Sequence, residues 1–295
     1  MKKKFTYKMM IKHMKVKGIT FDTVDEQKII DTLSKKNYYF KLTAYRNNFT
    51  KDTFGKYQNL DFACLTDLAS IDAQFRYYLL KLSLNIEHGV KTTLVDLITR
   101  NDTEDGYSII SDFREYDQFN YDTTMKYLKR NKYLHDLYIK HKSHPSAWMF
   151  LEVATFGALS SFVDFYFKRT KNKKIEQAHK YLKYAKNIRN ACAHNNSILV
   201  NLFSEKEHIA RPNASVVSIA DNMGHINRSQ VMDMKVNDLV CLFYLHKKFT
   251  SNVAYKHFQR EGKRFLERTL RHKEYYLDNK KLIDFYTIVS KLINY

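Results

Sequence analysis

Residues 175–194 read IEQAHKYLKYAKNIRNACAH, and their apolar side chains recur at helical spacing. A helix turns by about 100° per residue, so these side chains line one face and predict contact with a core. They are Ile175, Ala178, Leu182, Ala185, Ile188 and Cys192. Asn190 and His194 share the opposite face, and Arg189 lies near the edge of the apolar stripe. The stretch therefore predicts an amphipathic helix, and burial in the core is a poor explanation for His194.

The composition extends the helical prediction to the whole chain. Only 7 glycines and 2 prolines occur in 295 residues, which leaves little turn chemistry for a many-stranded fold. A hydrophobic content of 44% is typical of a globular protein. No tandem repeat and no interdomain linker is evident. We therefore predict an all-α fold and a single domain over residues 1–295.

A first helix is predicted to follow Asp22-Thr23-Val24-Asp25 and to run to about Leu33. Further helices are predicted over 37–45, 67–99, 121–141, 147–168, 173–195, 235–249, 252–274 and 279–293. The first helix has Asp22 or Thr23 as its expected cap. Residues 1–25 are basic and expected to be loosely held. Residues 197–203 and 214–219 are rich in β-branched side chains, so we expect a short β-hairpin or an irregular insertion over 197–231. Residues 235–295 form the expected C-terminal helices.

Neither export nor a metal site is indicated. No run of about 18 apolar residues occurs, and the chain starts with a charged segment, so a cytoplasmic protein is expected. Three widely separated cysteines contain no C-x-x-C pair, which argues against disulfides and a thiolate zinc site. His135, His141 and His144 lack the cysteines or spaced carboxylates that would complete a metal site. No cofactor motif is visible, and we expect no metal or cofactor.

The chain is strongly basic, with 50 Lys and Arg against 31 Asp and Glu, for a formal net charge of +19. Such surfaces bind nucleic acid phosphates by releasing counterions. Lysine on solvated helix faces is the alternative interpretation. The predicted RNA-binding residues are Lys126, Lys129, Arg130 and Lys132, and then Lys168, Arg169, Lys171, Lys173 and Lys174. A third basic cluster consists of Arg260, Lys263, Arg264, Arg268 and Arg271.

The R-N-x-x-x-H string suits metal-free RNA cleavage. The reaction needs a base for the ribose 2′-hydroxyl, an acid for the leaving 5′-oxygen and a cation for the phosphate. His194 can serve either proton role, Arg189 can hold phosphate, and Asn190 can orient one of them. One string supplies one histidine, so we predict a twofold homodimer that joins two copies. A solvated polar face is the alternative.

Two further features leave alternatives open. Glu87, on the long predicted helix, pairs either with Arg189 or with Lys91, four residues on. A second R-N-x-x-x-H string, Arg130 to His135, is predicted on a lysine-rich helix. It is interpreted as part of an RNA-contacting or solvated face rather than as a second catalytic site.

Four ordered blocks resemble the Abi-like (abortive infection, AbiD/AbiF-type) family, and the resemblance covers Gly18 to about Asn201. The first contains Gly18-Ile19-Thr20-Phe21 and Asn37-Tyr38-Tyr39-Phe40-Lys41-Leu42-Thr43-Ala44-Tyr45. The second runs from Asp72-Ala73-Gln74-Phe75-Arg76 to Ile86-Glu87, and the third from Pro145-Ser146-Ala147-Trp148 through Glu152 to Phe156-Gly157-Ala158-Leu159-Ser160. The fourth is Ile188 to His194.

The resemblance implies membership of the HEPN superfamily, in which an R-x(4–6)-H motif marks metal-independent ribonucleases. It further implies a HEPN-type helical bundle, usually dimeric, and a role as an antiphage toxin restrained by a small structured RNA. Catalytic roles for Arg189, Asn190 and His194 follow by the same resemblance. Two other functions stay open. The chain could be a non-catalytic protein that sequesters a small RNA, or a HEPN-like module that binds protein.

Overall fold

The computed structural model describes residues 4–295, so the first three residues of the basic N-terminal segment lie outside it. Within this range the all-α prediction is confirmed, because fifteen α-helices form and no β-sheet does. The helices are α1 Tyr7–Val16, α2 Glu26–Asp31, α3 Tyr39–Ala44, α4 Phe62–Thr99, α5 Ser108–Tyr116, α6 Gln118–Arg130, α7 His135–His141, α8 Ala147–Val153, α9 Phe156–Thr170, α10 Glu176–Ala193, α11 Ala214–Asn222, α12 Arg228–Val231, α13 Met234–Phe249, α14 Asn252–Thr269 and α15 Lys280–Asn294.

The chain groups into two compact units, each assembled from separate segments. The first unit contains the chain up to Leu80, Asn190–Val240 and His257–Tyr295. The second contains Lys81–Arg189 and Cys241–Lys256. The long helix α4 and the helix α10 contribute residues to both.

The core of the first unit forms around the N-terminal half of α4. Phe75 is buried, stacks on Phe265 with ring centroids 5.1 Å apart and meets the edge of Phe285 at 6.3 Å. Offset and edge contacts of this kind are the favourable aromatic geometries. The face of α4 that includes Phe75 therefore packs in the core, and polar side chains lie on its other faces.

The prediction that residues 1–25 are loosely held is wrong for the described part of this segment. Thr6 caps α1, because its hydroxyl accepts a hydrogen bond from the Met9 backbone N–H at 3.3 Å. Ile11 and Met14, three residues apart, are both buried. One short apolar stripe is enough to dock a basic helix, since its lysines stay on the solvent side.

The cap of the next helix also differs from the prediction. Asp25, rather than Asp22 or Thr23, caps α2 by accepting the Lys28 N–H at 2.7 Å. The Asp22 backbone N–H instead donates to Asp61 at 2.9 Å, and the Thr23 hydroxyl donates to the same carboxylate at 3.4 Å. The Thr23 hydroxyl, which a local interpretation assigns to capping, thus binds a distant carboxylate instead.

Of the two structures expected within 197–231, the β-hairpin is wrong, and residues 197–213 form the irregular segment that was the alternative, with one 3₁₀ turn at Glu205–Glu207. Ile198, Leu199 and Leu202 are buried without a strand partner. Buried polar side chains, rather than a neighbouring strand, accept hydrogen bonds from the backbone of this segment. The Leu202 N–H donates to the Asn48 amide oxygen at 3.1 Å. The Phe203 N–H donates to Asp233 at 2.8 Å. Burial, not strand pairing, explains the apolar β-branched composition here.

The second half of the same range forms helix α11. Asn213 caps it, accepting the Ser215 N–H at 2.9 Å, and Val216 and Ala220 are buried one turn apart. The β-branched residues suggest a strand, but tertiary packing overrides so weak a preference.

Several helix boundaries in the second unit differ from the prediction. Helix α5 is absent from the predicted set, yet its Phe113 centres the core at 5.3 Å from Phe150 and 5.0 Å from Phe162. The predicted helix 121–141 is two helices, α6 and α7, and 147–168 is also two, α8 and α9. Thr155 causes the second break, because its hydroxyl caps α9 through the Ala158 N–H at 3.2 Å.

The C-terminal predictions are confirmed to within a few residues, since α13, α14 and α15 match 235–249, 252–274 and 279–293. Helix α14 ends at Thr269 and a 3₁₀ turn follows at Lys273–Tyr276. None of the helices within residues 4–295 combines the length and the apolar character needed to cross a membrane.

Candidate functional site

The end of α10 is shaped by a Schellman motif. Asn195 has a left-handed backbone, with φ of 58°. Its N–H donates to the Cys192 carbonyl at 3.1 Å, and the Asn196 N–H reaches back to the Ala191 carbonyl at 2.8 Å. These two bonds define the motif and stop the helix. His194 is consequently the residue that caps the helix, one position beyond its last turn, rather than an interior residue.

The helical register nevertheless extends to His194. Its N–H donates to the Asn190 carbonyl at 2.9 Å, so the two residues stand one turn apart as predicted. The imidazole is exposed, whereas Asn190 and Arg189 are half-buried. All six residues of the predicted apolar stripe are buried, which confirms that face of the helix. His194 is therefore available to solvent at a fixed point of the backbone.

Cys192 is not a candidate nucleophile although it lies two residues before His194. Burial raises the pKa of its thiol to about 12, and the nearby Arg76 guanidinium only partly opposes this effect. A thiol reacts through its thiolate, which is scarce at neutral pH when the pKa is so high. Cys192 therefore belongs to the apolar stripe.

A buried carboxylate fixes the segment that follows His194. Asp72, on α4, is completely buried and accepts the backbone N–H groups of Ile198 and Leu199, both at 2.8 Å. The Tyr45 hydroxyl also donates to it at 2.8 Å, and Arg76 completes an ion pair one turn along α4. Four donors thus hold one carboxylate and tie the chain after α10 to the long helix.

A cavity of about 640 Å³ opens beside this segment. We call it the basic cavity, because four cations and no carboxylate line it: Lys28, Lys36, Lys41 and Arg76. Asn195, the residue directly after His194, also lines it. Its remaining walls are formed by Val24, Thr32, Asn37, Tyr38, Leu42, Phe62, Thr66, Ala69, Ser70, Ala73 and Tyr77. A positively charged cavity therefore reaches the residue that follows the exposed histidine.

Lys41 connects the basic cavity to the end of α10. Its ammonium group donates to the Asn195 carbonyl at 2.7 Å. Burial lowers the pKa of Lys41, and the nearby positive charge of Arg76 lowers it further. Both effects disfavour the protonated form, and an anion bound in the cavity would offset them.

The cations of the basic cavity are missing from the predicted RNA-binding set. Lys28, Lys36 and Lys41 lie within 14 residues but on separate short helical elements, and Arg76 follows 35 residues later on α4, so the four form no dense basic run in the sequence. Lys41 and Arg76 do fall within the sequence blocks that resemble a known family. That position is the one signal that points to them.

Glu87 forms the local ion pair. Its carboxylate lies 2.9 Å from the Lys91 ammonium, and both side chains are largely buried. Lys91 also lies 3.4 Å from the Glu152 carbonyl oxygen and 3.3 Å from that of Ala154. Lys91, paired with Glu87, thus binds carbonyl oxygens at the end of α8, where the chain turns into α9. This geometry supports a structural role for Glu87 and lends no support to pairing with Arg189.

Part of the predicted RNA-binding set in the second unit has protein partners. Arg169 pairs with Glu104 at 3.1 Å and with Asp112. The Lys168 ammonium donates to the Tyr116 hydroxyl at 2.7 Å, and Lys174 lies 3.9 Å from Asp96. The remaining members are exposed: Lys126, Lys129, Arg130, Lys132, Lys171 and Lys173. Arg169 in particular is better explained as a structural residue.

The second R-N-x-x-x-H string does not lie on one helix, contrary to the prediction. Arg130 ends α6 and His135 begins α7. Between them, the Asn131 amide oxygen accepts the Tyr133 N–H at 2.9 Å, which closes an Asx turn. The register that brings Asn190 and His194 one turn apart is therefore absent from this string.

We expect His135→Ala to leave any RNA cleavage within a few-fold of the unchanged protein. Its imidazole follows a turn, away from the register that a helical motif requires. Gel-resolved cleavage rates in EDTA, compared with those of His194→Ala, measure the difference. Loss of cleavage in His135→Ala equal to the loss in His194→Ala would show two catalytic strings in one chain.

Comparison with known proteins gives one family. A model of the Abi-like protein family matches residues 31–200, more than half of the chain, and the match includes Lys41, Arg76 and the end of α10. The chain therefore belongs to the Abi-like protein family, which suggests a role in abortive infection. No curated protein and no solved structure matches it.

Proposed function

We propose that this protein is a metal-independent HEPN-type endoribonuclease of antiphage defence. The observation that carries the proposal is the exposed His194 at the end of α10, directly before Asn195, which lines a basic cavity of about 640 Å³. Family membership supplies the setting, since abortive infection requires an agent that halts the infected cell. The basic cavity supplies a place for an anionic substrate.

The proposed reaction is transesterification of RNA. The 2′-hydroxyl oxygen attacks the adjacent phosphorus while the bond from phosphorus to the 5′-oxygen breaks. One imidazole takes the 2′-hydroxyl proton and a second, protonated imidazole gives a proton to the 5′-oxygen. The products are a 2′,3′-cyclic phosphate and a 5′-hydroxyl. Arg189 is assigned to the phosphate and Asn190 to orientation of the reacting groups.

The R-N-x-x-x-H string of α10 supplies one imidazole per chain, so the second imidazole is proposed to come from a second chain. Each chain has one His194, so the proposal places a twofold axis near the exposed ends of two α10 helices. The partner subunit's His194 then supplies the second proton role. Restraint by a small structured RNA fits the same surface, because such an RNA would cover the basic cavity and both histidines.

We expect a His194→Ala subunit to inactivate the unchanged subunit with which it forms a mixed dimer. With a threefold excess of the variant and free exchange, about a quarter of unchanged chains pair with another unchanged chain. Cleavage per unchanged chain should fall by about fourfold, as measured by titrating variant into a constant amount of unchanged protein. A monomer by light scattering with full turnover would exclude the dimer.

The test of the proposed function uses purified protein and total cellular RNA in the presence of EDTA. Nucleic acid that copurifies is sequenced first, since a restraining RNA would be found there as a discrete small species. Cleavage in EDTA after its removal supports the nuclease. Tight RNA binding without any cleavage would instead support the alternative, a protein that sequesters a small RNA.

A further inference from the structure

The basic cavity has charges that the protein itself does not neutralise. Within residues 4–295 no hydrogen bond or ion pair engages the ammonium groups of Lys28 and Lys36. Asp31 acts electrostatically on Lys36, but its carboxylate pairs with Lys35 at 3.1 Å. These two lysines therefore present their charge to whatever enters the cavity.

The inner wall of the basic cavity is built rather than incidental. Arg76 is 5% exposed and is held by the completely buried Asp72. Since Asp72 is fixed in turn by two backbone N–H groups and the Tyr45 hydroxyl, the guanidinium cannot swing away. Arginine presents a planar set of donors that suits phosphate. A preorganised donor in the wall distinguishes this cavity from a patch of surface lysines.

Two tyrosines make the cavity suitable for a nucleobase as well as a phosphate. Tyr38 is 62% exposed and Tyr77 is 67% exposed, although both line the basic cavity. An exposed aromatic ring beside cations is the usual platform on which single-stranded bases stack. The volume of about 640 Å³ falls within the range of small-ligand pockets and is compatible with one nucleotide.

We propose that the basic cavity is a nucleotide subsite, in which Lys28, Lys36, Lys41 and Arg76 hold phosphate while Tyr38 or Tyr77 stacks on the base. The nucleotide comes from an RNA strand, and that choice of source rests on the proposed function. Because Asn195 lines the cavity, the adjacent phosphodiester of the same strand lies near His194. The chemistry of recognition would be the same for a free nucleotide, which the experiment distinguishes.

Binding is measured in a His194→Ala background, where cleavage does not interfere. The probe is a fluorescein-labelled hexaadenylate RNA, followed by anisotropy over a range of salt concentrations. The cavity variant is Lys28→Gln, Lys36→Gln and Lys41→Gln together. Its matched control changes Lys8, Lys12 and Lys206 to Gln, which removes the same charge from three exposed lysines outside the cavity.

We expect the cavity variant to weaken binding at least tenfold and to lower the log–log salt slope by about 2, near 0.7 per phosphate contact. The control variant should change affinity less than threefold. Replacing both tyrosines, by Tyr38→Leu with Tyr77→Leu, should cost a further tenfold or so, because stacking contributes about 1–3 kcal/mol per base. Tyr7→Leu should have no effect, since Tyr7 lies outside the cavity.

Equal weakening by the cavity and control variants would overturn the proposal, because overall charge would then explain binding. AMP alone that binds as tightly as the hexanucleotide would assign the cavity to free nucleotides and overturn the RNA source. If the triple variant misfolds, the double variant Lys28→Gln, Lys36→Gln gives the same test without disturbing Lys41. If RNA binding depends on the cavity but the protein with His194 intact does not cleave RNA, the nuclease proposal fails and the subsite proposal stands.

Discussion

Replacement of His194 by alanine is expected to lower EDTA-resistant RNA cleavage by about 10²–10⁴ and to abolish toxicity during expression. The reason is that an exposed imidazole at the end of α10 is the one group of the R-N-x-x-x-H string suited to proton transfer. Cleavage is measured with purified protein on a defined RNA, and toxicity by growth after induction.

The fold should survive this change, because His194 is exposed and the Schellman bonds of α10 use backbone atoms. Thermal unfolding followed by circular dichroism provides that control. The matched variant is His135→Ala, which alters an exposed histidine of the second string. A folded His194→Ala protein that cleaves RNA at the original rate would remove the catalytic assignment.

Asp72→Asn is expected to cause the largest loss of stability. The substitution removes the charge that faces buried Arg76. If the amide oxygen stays with the Ile198 and Leu199 N–H groups, the new NH2 donor faces the Arg76 guanidinium and the Tyr45 hydroxyl. Breaking a buried ion pair on one side costs about 3–5 kcal/mol. For a chain of this size the melting temperature should fall by about 6–10 °C.

Asp31→Asn is the matched control, since it also removes a carboxylate from an i, i+4 pair. The Asp31 pair with Lys35 is exposed, so the melting temperature should stay within experimental error. A melting temperature for Asp72→Asn that equals that of Asp31→Asn would contradict the role assigned to the buried network.

The long amphipathic helices could be predicted because one periodic signal fixes both their type and their buried face. The stripe from Ile175 to Cys192 is the clearest example. Some short helices could not be predicted, because they contain too few buried residues to produce a periodic signal. At α11, two buried residues one turn apart carry less signal than the β-branched composition, and packing decided the outcome.

The site divides in the same way. His194 and Asn190 could be found because they belong to one string with a fixed spacing. Lys28, Lys36, Lys41 and Arg76 could not, because tertiary structure brings Arg76 of α4 to the same cavity as three lysines from separate short helical elements. RNA binding was instead predicted for runs of positive charge such as Lys168 to Lys174. Within this run, Arg169 pairs with two carboxylates.

The nature of the cleaved ends tests the central claim most directly. A defined RNA and a version with 2′-deoxy sugars throughout are incubated with the unchanged protein in EDTA, and the fragments are weighed by mass spectrometry. Metal-independent cleavage through the 2′-hydroxyl predicts 2′,3′-cyclic phosphate and 5′-hydroxyl ends from the RNA and an intact deoxy strand. Cleavage of the deoxy strand, or cleavage that stops in EDTA, would contradict it.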